Sequence, residues 1–182
     1  MCSGDTVVSY WLDLFTGTTW NEFRDAGASV SEFRTRRKKS VQAIQRGDIL
    51  LCYLTGVMRW VGALEVIGPS KDTWTIWNID EFPERLDVRP LILLDPEYGV
   101  QMDALFGKVD FYKDESDKRY FKGFLRGSPV KSKKNSDGEL ISSLLQQAKE
   151  NPVFNPVDPR KIARIPLYRV AEKGGKSRQP LW

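Results

Sequence analysis

Histidine is absent from the 182 residues of this chain, and with it goes the commonest general base and metal ligand near neutral pH. Ser-His-Asp, Cys-His, zinc-hydrolase and HNH-type nuclease chemistry are excluded within the sequence itself. Cysteine is almost as scarce: Cys2 lies at the extreme N-terminus and Cys52 inside an apolar run, so neither a disulfide framework nor a zinc-ligand spacing is present. A reducing cytoplasm is the expected compartment. Long apolar runs are missing too, since no stretch approaches the roughly 18 residues of a membrane helix and the N-terminus lacks a basic segment followed by an apolar core. The sequence predicts a soluble, unexported protein with no membrane partner.

What the chain does contain is aromatic and basic. Six Trp, nine Phe and six Tyr sit within a hydrophobic fraction of 41%, enough to fill the core of one compact unit of this length. The formal charge of +4 and sequence pI near 9.0 are moderate, so where the charge lies matters more than its sum. Asp and Glu are frequent between residues 72 and 117, which leaves carboxylate-only metal catalysis open in principle. Those acids are scattered, and no catalytic residue, metal ligand or cofactor is predicted.

Val7 to Leu14 reads as a buried strand and Thr16-Gly17-Thr18-Thr19 as a turn, with a long loop and a short helix to follow. The basic run Arg34-Thr35-Arg36-Arg37-Lys38-Lys39 precedes a helical segment whose apolar positions are Val41 and Ile44, ended by Gly47. Asp48 to Leu54 and Arg59 to Ile67 read as a hairpin of interior strands, Gly62 marking a bulge or a close approach. Arg85 to Leu94 carries Pro90 and so predicts an edge or bent strand, and Met102 to Phe106 a short helix. A longer helix opens at Asn135 to Glu139, where Ser136 and Glu139 have capping-box spacing, and Leu140, Ile141, Leu144, Leu145 and Ala148 line one face up to Asn151-Pro152. One last strand is expected over 162–170, then a flexible tail. The pattern is α+β, a small curved or closed β-barrel flanked by helices.

Three segments carry a family likeness. Gly47-Asp48-Ile49-Leu50-Leu51-Cys52-Tyr53 leads to Val61-Gly62-Ala63-Leu64-Glu65-Val66; Ile76-Trp77-Asn78-Ile79-Asp80-Glu81-Phe82-Pro83 leads to Glu84-Arg85-Leu86-Asp87-Val88-Arg89; and Tyr120 to Ser128, with Arg126-Gly127-Ser128 at its end, precedes the helix of Asp137. In this order, over residues 7–150, they resemble the EVE branch of the PUA/YTH superfamily. The resemblance implies a PUA-like barrel whose aromatic side chains cage one flipped base. Carried over by position, Phe33 matches the first cage aromatic and Phe82 the second, with Trp77 nearby. Both are Phe where the family usually has Trp, which makes Trp20, Trp60 and Trp77 the further candidates. Trp11 and Phe111 are expected in the core. Residues 1–160 form the expected base-reading domain, and 161–182 a terminal strand and linker toward an effector.

Stacking on an aromatic is worth roughly 1–3 kcal/mol per base, so two walls about offset the few kcal/mol needed to unstack it. Affinity then rests on phosphate contacts, for which Arg34, Arg36, Arg37, Lys38 and Lys39, with Lys122, Arg126, Lys131, Lys133 and Lys134, are the candidates. A methyl group adds only about 0.8 kcal/mol, so polar groups must read the base edge, and Asp13, Ser31 and Thr55 are the candidates.

The first expectation is a non-catalytic reader of double-stranded DNA carrying methylated or hydroxymethylated cytosine or N6-methyladenine. It would be the recognition module of a bacterial or archaeal modification-dependent restriction enzyme, with an effector nuclease or NTPase domain in the same chain. An RNA reader of PUA/YTH type is the alternative. A metal-dependent hydrolase using Glu65, Asp87 and Asp95 is the third, and a pure protein-interaction role stays open if no nucleic acid binds.

Overall fold

The structure is a computed structural model that describes residues 7–71, 76, 82–114, 125 and 127–163. Among them runs one mixed sheet of seven strands: β1 (Tyr10–Phe15), β2 (Val30–Phe33), β3 (Ile49–Leu54), β4 (Arg59–Pro69), β5 (Glu84–Leu93), β6 (Val100–Gln101) and β7 (Val130–Lys131). The order is β2-β5-β4-β3-β1-β7, with β6 also on β4. Only β1 and β3 pair in parallel. A parallel pair needs a crossover, and residues 16–48 supply it through α1 (Gly17–Asp25), β2, a 3-10 turn (Thr35–Arg37) and α2 (Lys38–Ala43).

The crossover also curls the sheet. β1 and β2 stand four places apart, which in a flat sheet would separate them by about 19 Å. Yet the Ser31 hydroxyl donates to the Asp13 carboxylate at 2.7 Å. The edge strand β2 and the inner strand β1 therefore meet over a concave face, and the α+β, PUA-like curled barrel expected from the sequence is what the chain forms.

Period-2 alternation divides the side chains. Trp11, Phe15, Phe33, Leu50, Cys52, Leu54, Leu64, Val66, Leu86 and Val88 fill the concave side with Trp20 and Phe23 of α1, Val41 of α2 and Ile44 just beyond it. Leu12, Leu51, Tyr53, Ala63 and Ile92 take the other side, under Ile141 and Leu145 of the long helix α3 (Asn135–Glu150) and under Met102, Leu105, Val109, Phe111 and Tyr112. Trp11 and Phe111 are buried as expected, at 4% and 3% exposure. Among the described residues no helix is long and apolar enough to cross a membrane.

Several local expectations change. Thr16 to Thr19 is a helix start rather than a turn: the Thr16 hydroxyl accepts from Thr19 N at 3.1 Å while the Thr19 hydroxyl accepts from Thr16 N at 2.9 Å, a reciprocal cap that begins α1. β2 was not anticipated, because four residues containing Ser and Glu show too little alternation. α3 starts without a capping box: its N-cap is Lys134, with no side-chain cap, Ser136 is exposed, and Asp137 instead turns inward to accept from Asp110 N at 2.9 Å. Pro90 does lie where β5 is an edge, since β2 pairs only with Glu84 to Asp87. Beyond 158 the chain forms a short helix, α4 (Pro159–Ile162), where a strand was expected to begin. It crosses the boundary drawn at 160 and lies against Gly17 of α1. Residues 164–182 lie outside the described residues.

Gly62 is a close approach. A Cβ there would stand 2.7 Å from Trp20 Cη2 and 2.8 Å from the Ile92 carbonyl oxygen, distances that no side-chain adjustment relieves on the backbone side. Gly62→Ala is expected to destabilise the fold by about 1–3 kcal/mol, read as a lower urea midpoint at unchanged slope. An unchanged midpoint would mean that Trp20 does not rest on β4.

Candidate functional site

The concave face buries a carboxyl among its apolar side chains. Asp13 lies on β1 between Trp11 and Phe15, opposite Cys52 of β3, and is 3% exposed. Its Oδ2 accepts from the Ser31 hydroxyl and its Oδ1 from the Ser128 hydroxyl, both at 2.7 Å. Ser128 in turn accepts from Leu14 N at 3.1 Å. Burial pushes the Asp13 carboxyl up to about 6, against the pull of the two hydroxyls. The same burial, with Asp13 alongside, raises the Cys52 thiol well above its ordinary value, so that sulfur stays protonated.

Aromatic and basic groups border this cluster. Phe33 shares the inward face of β2 with Ser31, and Phe82, half-buried, packs on the same cluster together with Ile76. The Arg34 guanidinium lies 5.2 Å from the Phe82 ring centroid, within cation–π range. Arg37 lies directly over Gly127, where a Cβ would collide with its guanidinium. Gly127 adopts φ +76, and both features favour glycine at that turn. Burial, and then the neighbouring Arg36, hold the Arg37 pKa below its usual value. Arg36, Lys38 and Lys39 are exposed beside it.

Glu32, between Ser31 and Phe33, points the other way. It is 4% exposed, accepts from Ile76 N at 2.9 Å and pairs with Arg85 at 3.5 Å. The strand that carries Ser31 and Phe33 inward thus also holds Ile76, which packs on the same cluster as Phe82.

The structure therefore brings together Asp13, Ser31, Phe33, Phe82, Arg34 and Arg37, and it adds Ser128. That serine ends the sequence motif Arg126-Gly127-Ser128, and the small hydroxyl next to a glycine was the available signal. Phe33 is only 2% exposed, so of the two carried-over walls Phe82 has the surface to offer. Three other candidates fall elsewhere. Trp60 lies on the opposite face of the sheet: β4 bulges at Val61, since Cys52 pairs with Gly62 but Tyr53 with Trp60, and the extra residue turns the indole toward Tyr53 at 4.9 Å. Trp20 is a core residue, fully buried, its N–H bonded to the Leu94 carbonyl at 3.1 Å and its ring against Phe15 and Phe23. Thr55 closes β3 by donating to the Phe15 carbonyl at 3.2 Å. Trp77, Lys122 and Arg126 lie outside the described residues.

Among the remaining cations, Lys131 is exposed and lies 5.7 Å from the Trp11 ring centroid, and Lys133 is exposed. Lys134 is paired: with Lys113 it grips Asp110 at 2.9 Å and draws that carboxyl down to about 2. The acids of the hydrolase reading do not converge. Glu65 pairs with Arg89, and Asp95 with Arg24 at 2.7 Å. Among the described residues no group of three or more His, Cys, Asp or Glu could hold a metal ion. Two surface hollows, about 170 Å³ beside Met58 and Asp103 and about 550 Å³ between Tyr98–Gln101 and α3, share no residue with the Asp13 constellation.

No family model matches the chain, and no curated protein matches it. Solved structures do. The Mmi1 YTH domain in complex with RNA is similar over 82% of this chain and 85% of its own, at 10% identity and a TM-score of 0.56. The Pho92 YTH domain in complex with m6A is similar over 83% and 90%, at 13% identity and a TM-score of 0.55. A hypothetical protein from Leishmania major gives 79% and 98%, at 15% identity and a TM-score of 0.53. At such identities the likeness is one of fold: the chain has a YTH/PUA-like architecture.

Asp13 makes stability depend on pH in an unusual direction. Its folded pKa, about 6, lies above its ordinary value of 3.8, so between those values the folded protein holds a proton that the unfolded chain has released. The contribution is fully present below about pH 4 and lost as pH rises through 6. Relative to Asp13→Asn, the parent is expected to lose on the order of 2–3 kcal/mol across that window. Urea midpoints of both proteins at pH 4, 5, 6 and 7 measure it, and parallel profiles would place the carboxylate in water.

Proposed function

We propose that this domain is a non-catalytic reader that holds one base, swung out of its strand, at the mouth of the concave face. Phe82 stacks on the base, Asp13, Ser31 and Ser128 meet its edge, and the run from Arg34 to Lys39 takes the phosphates. The observation that carries the reading is the convergence itself. A buried carboxylate bound by hydroxyls from two distant segments lies beside an aromatic, and exposed cations follow directly in the chain. Burying a carboxylate costs stability, and the two hydroxyls do not restore the ordinary pKa of Asp13. YTH domains solved with RNA and with m6A share this fold, which supports a nucleic acid as the ligand.

The nucleic acid has two readings. Resemblance to the EVE branch favours double-stranded DNA carrying methylated or hydroxymethylated cytosine or N6-methyladenine. The chain would then be the recognition module of a modification-dependent restriction enzyme in a bacterial or archaeal cytoplasm, with an effector nuclease or NTPase domain in the same protein. The RNA in the Mmi1 structure and the m6A in the Pho92 structure favour a modified RNA base instead. Ribose 2′-hydroxyls separate the two.

Matched DNA and RNA oligonucleotides, each with and without 5-methylcytosine, 5-hydroxymethylcytosine or N6-methyladenine at one position, test the proposal by fluorescence anisotropy at several salt concentrations. Tighter binding of one modified form is expected, with log K falling linearly in log salt. Equal affinities for modified and unmodified strands at every salt concentration would end the reader proposal. Phe82→Ala should weaken binding by about 1–3 kcal/mol, with an unchanged melting profile as its control. Arg36→Ala should reduce the salt slope by about 1 while leaving base preference intact. A Phe82→Ala variant that binds at full strength would move the stacking wall elsewhere.

A further inference from the structure

We propose that Asp13, with the Ser31 and Ser128 hydroxyls committed to it, makes this site select a base bearing an amino group over a keto base such as thymine or uracil. The proposal rests on the base-holding reading above and specifies the chemistry of its ligand.

The argument is a donor count. A serine hydroxyl has one hydrogen to give, and those of Ser31 and Ser128 are both given to Asp13, one to each carboxylate oxygen at 2.7 Å. The N–H of the next residue, Leu14, is spent on Ser128. Across the parallel pair from Asp13 stands the Cys52 thiol, kept protonated by burial and only a weak donor. Among the described residues Asp13 joins no salt bridge, so its charge is balanced by hydroxyls alone. What the cluster has left to offer is acceptor capacity: an ionised carboxylate has about four lone-pair sites, of which two are used. Ser128 is half-exposed where Asp13 and Ser31 are buried, so the open side of the cluster is the Ser128 side, next to Gly127 and Arg37.

An acceptor wall of this kind rewards N–H groups with charge-assisted hydrogen bonds and penalises carbonyls. Thymine and uracil present one N–H between two carbonyl oxygens. Cytosine, adenine and guanine each present an exocyclic amine, and carboxylates pair with the cytosine N4 amine in base recognition generally. Sites that hydrogen-bond a ligand group discriminate strongly against an analogue lacking it, because their own polar atoms are left unpaired.

5-Methylcytosine and thymine isolate this effect, since they share a methyl group and an outline and differ in the amine or oxygen at C4 and the proton at N3. Each is placed opposite an abasic site in otherwise identical DNA and RNA duplexes, which equalises the cost of extrusion, and binding is measured at pH 8. The parent protein is expected to bind the amino base at least about tenfold tighter, the scale of one charge-assisted hydrogen bond. Asp13→Asn, which puts an NH2 donor group in place of one acceptor oxygen in the same outline, should bring the two affinities to within about threefold. Equal binding by the parent, tighter binding of thymine, or a ratio untouched by Asp13→Asn would each overturn the inference while leaving base holding intact. If neither base binds better than a duplex with abasic sites on both strands, base holding itself fails and the inference falls with it.

Discussion

The hydrogen bond between Ser31 and Asp13 is the constraint on which this architecture depends. It joins β2 to β1, the far strand and the inner partner of β3, across a distance that four flat strand spacings would make about 19 Å. To close it the sheet must curl, and curling creates the concave face that holds Phe33, Phe82 and the Ser128 turn. The bond lies at the bottom of the candidate site and also keeps that site together. A stability defect and a binding defect at Asp13 are thus coupled by construction, and only measurements that read base identity or pH can separate them.

Charge is distributed with the same economy. Arg37 over Gly127 and Arg34 over Phe82 place guanidiniums at the rim. On the other flank Lys134 and Lys113 are absorbed by Asp110, so the positive surface is narrower than the lysine-rich sequence around residue 131 suggests. A net charge of +4 becomes informative only when its compensated members are subtracted.

Fold likeness and site chemistry contribute differently. The resemblance in fold to YTH domains shows the architecture, and says nothing about which ligand this chain takes. The residues themselves narrow that question: the face has a committed carboxylate and hydroxyls, one half-buried phenyl ring, and guanidiniums at its edge.

Composition alone removed histidine chemistry and disulfides, and period-2 and helical patterns located β1, β3, β4, β5 and α3, because long amphipathic or apolar runs are legible wherever they occur. The pairing of Phe33 and Phe82 with the basic run was legible through the order of the flanking motifs. The face assignments were not. Val61 bulges and carries Trp60 to the helix-covered side, a one-residue shift that no periodicity can foresee, and Trp20 found a carbonyl seventy-four residues away. Ser128 joined Asp13 across a separation of 115 residues. Local sequence determined the elements and the inventory of groups; which groups meet was decided by the closure of the sheet, because a curled surface brings together strands that the chain keeps far apart.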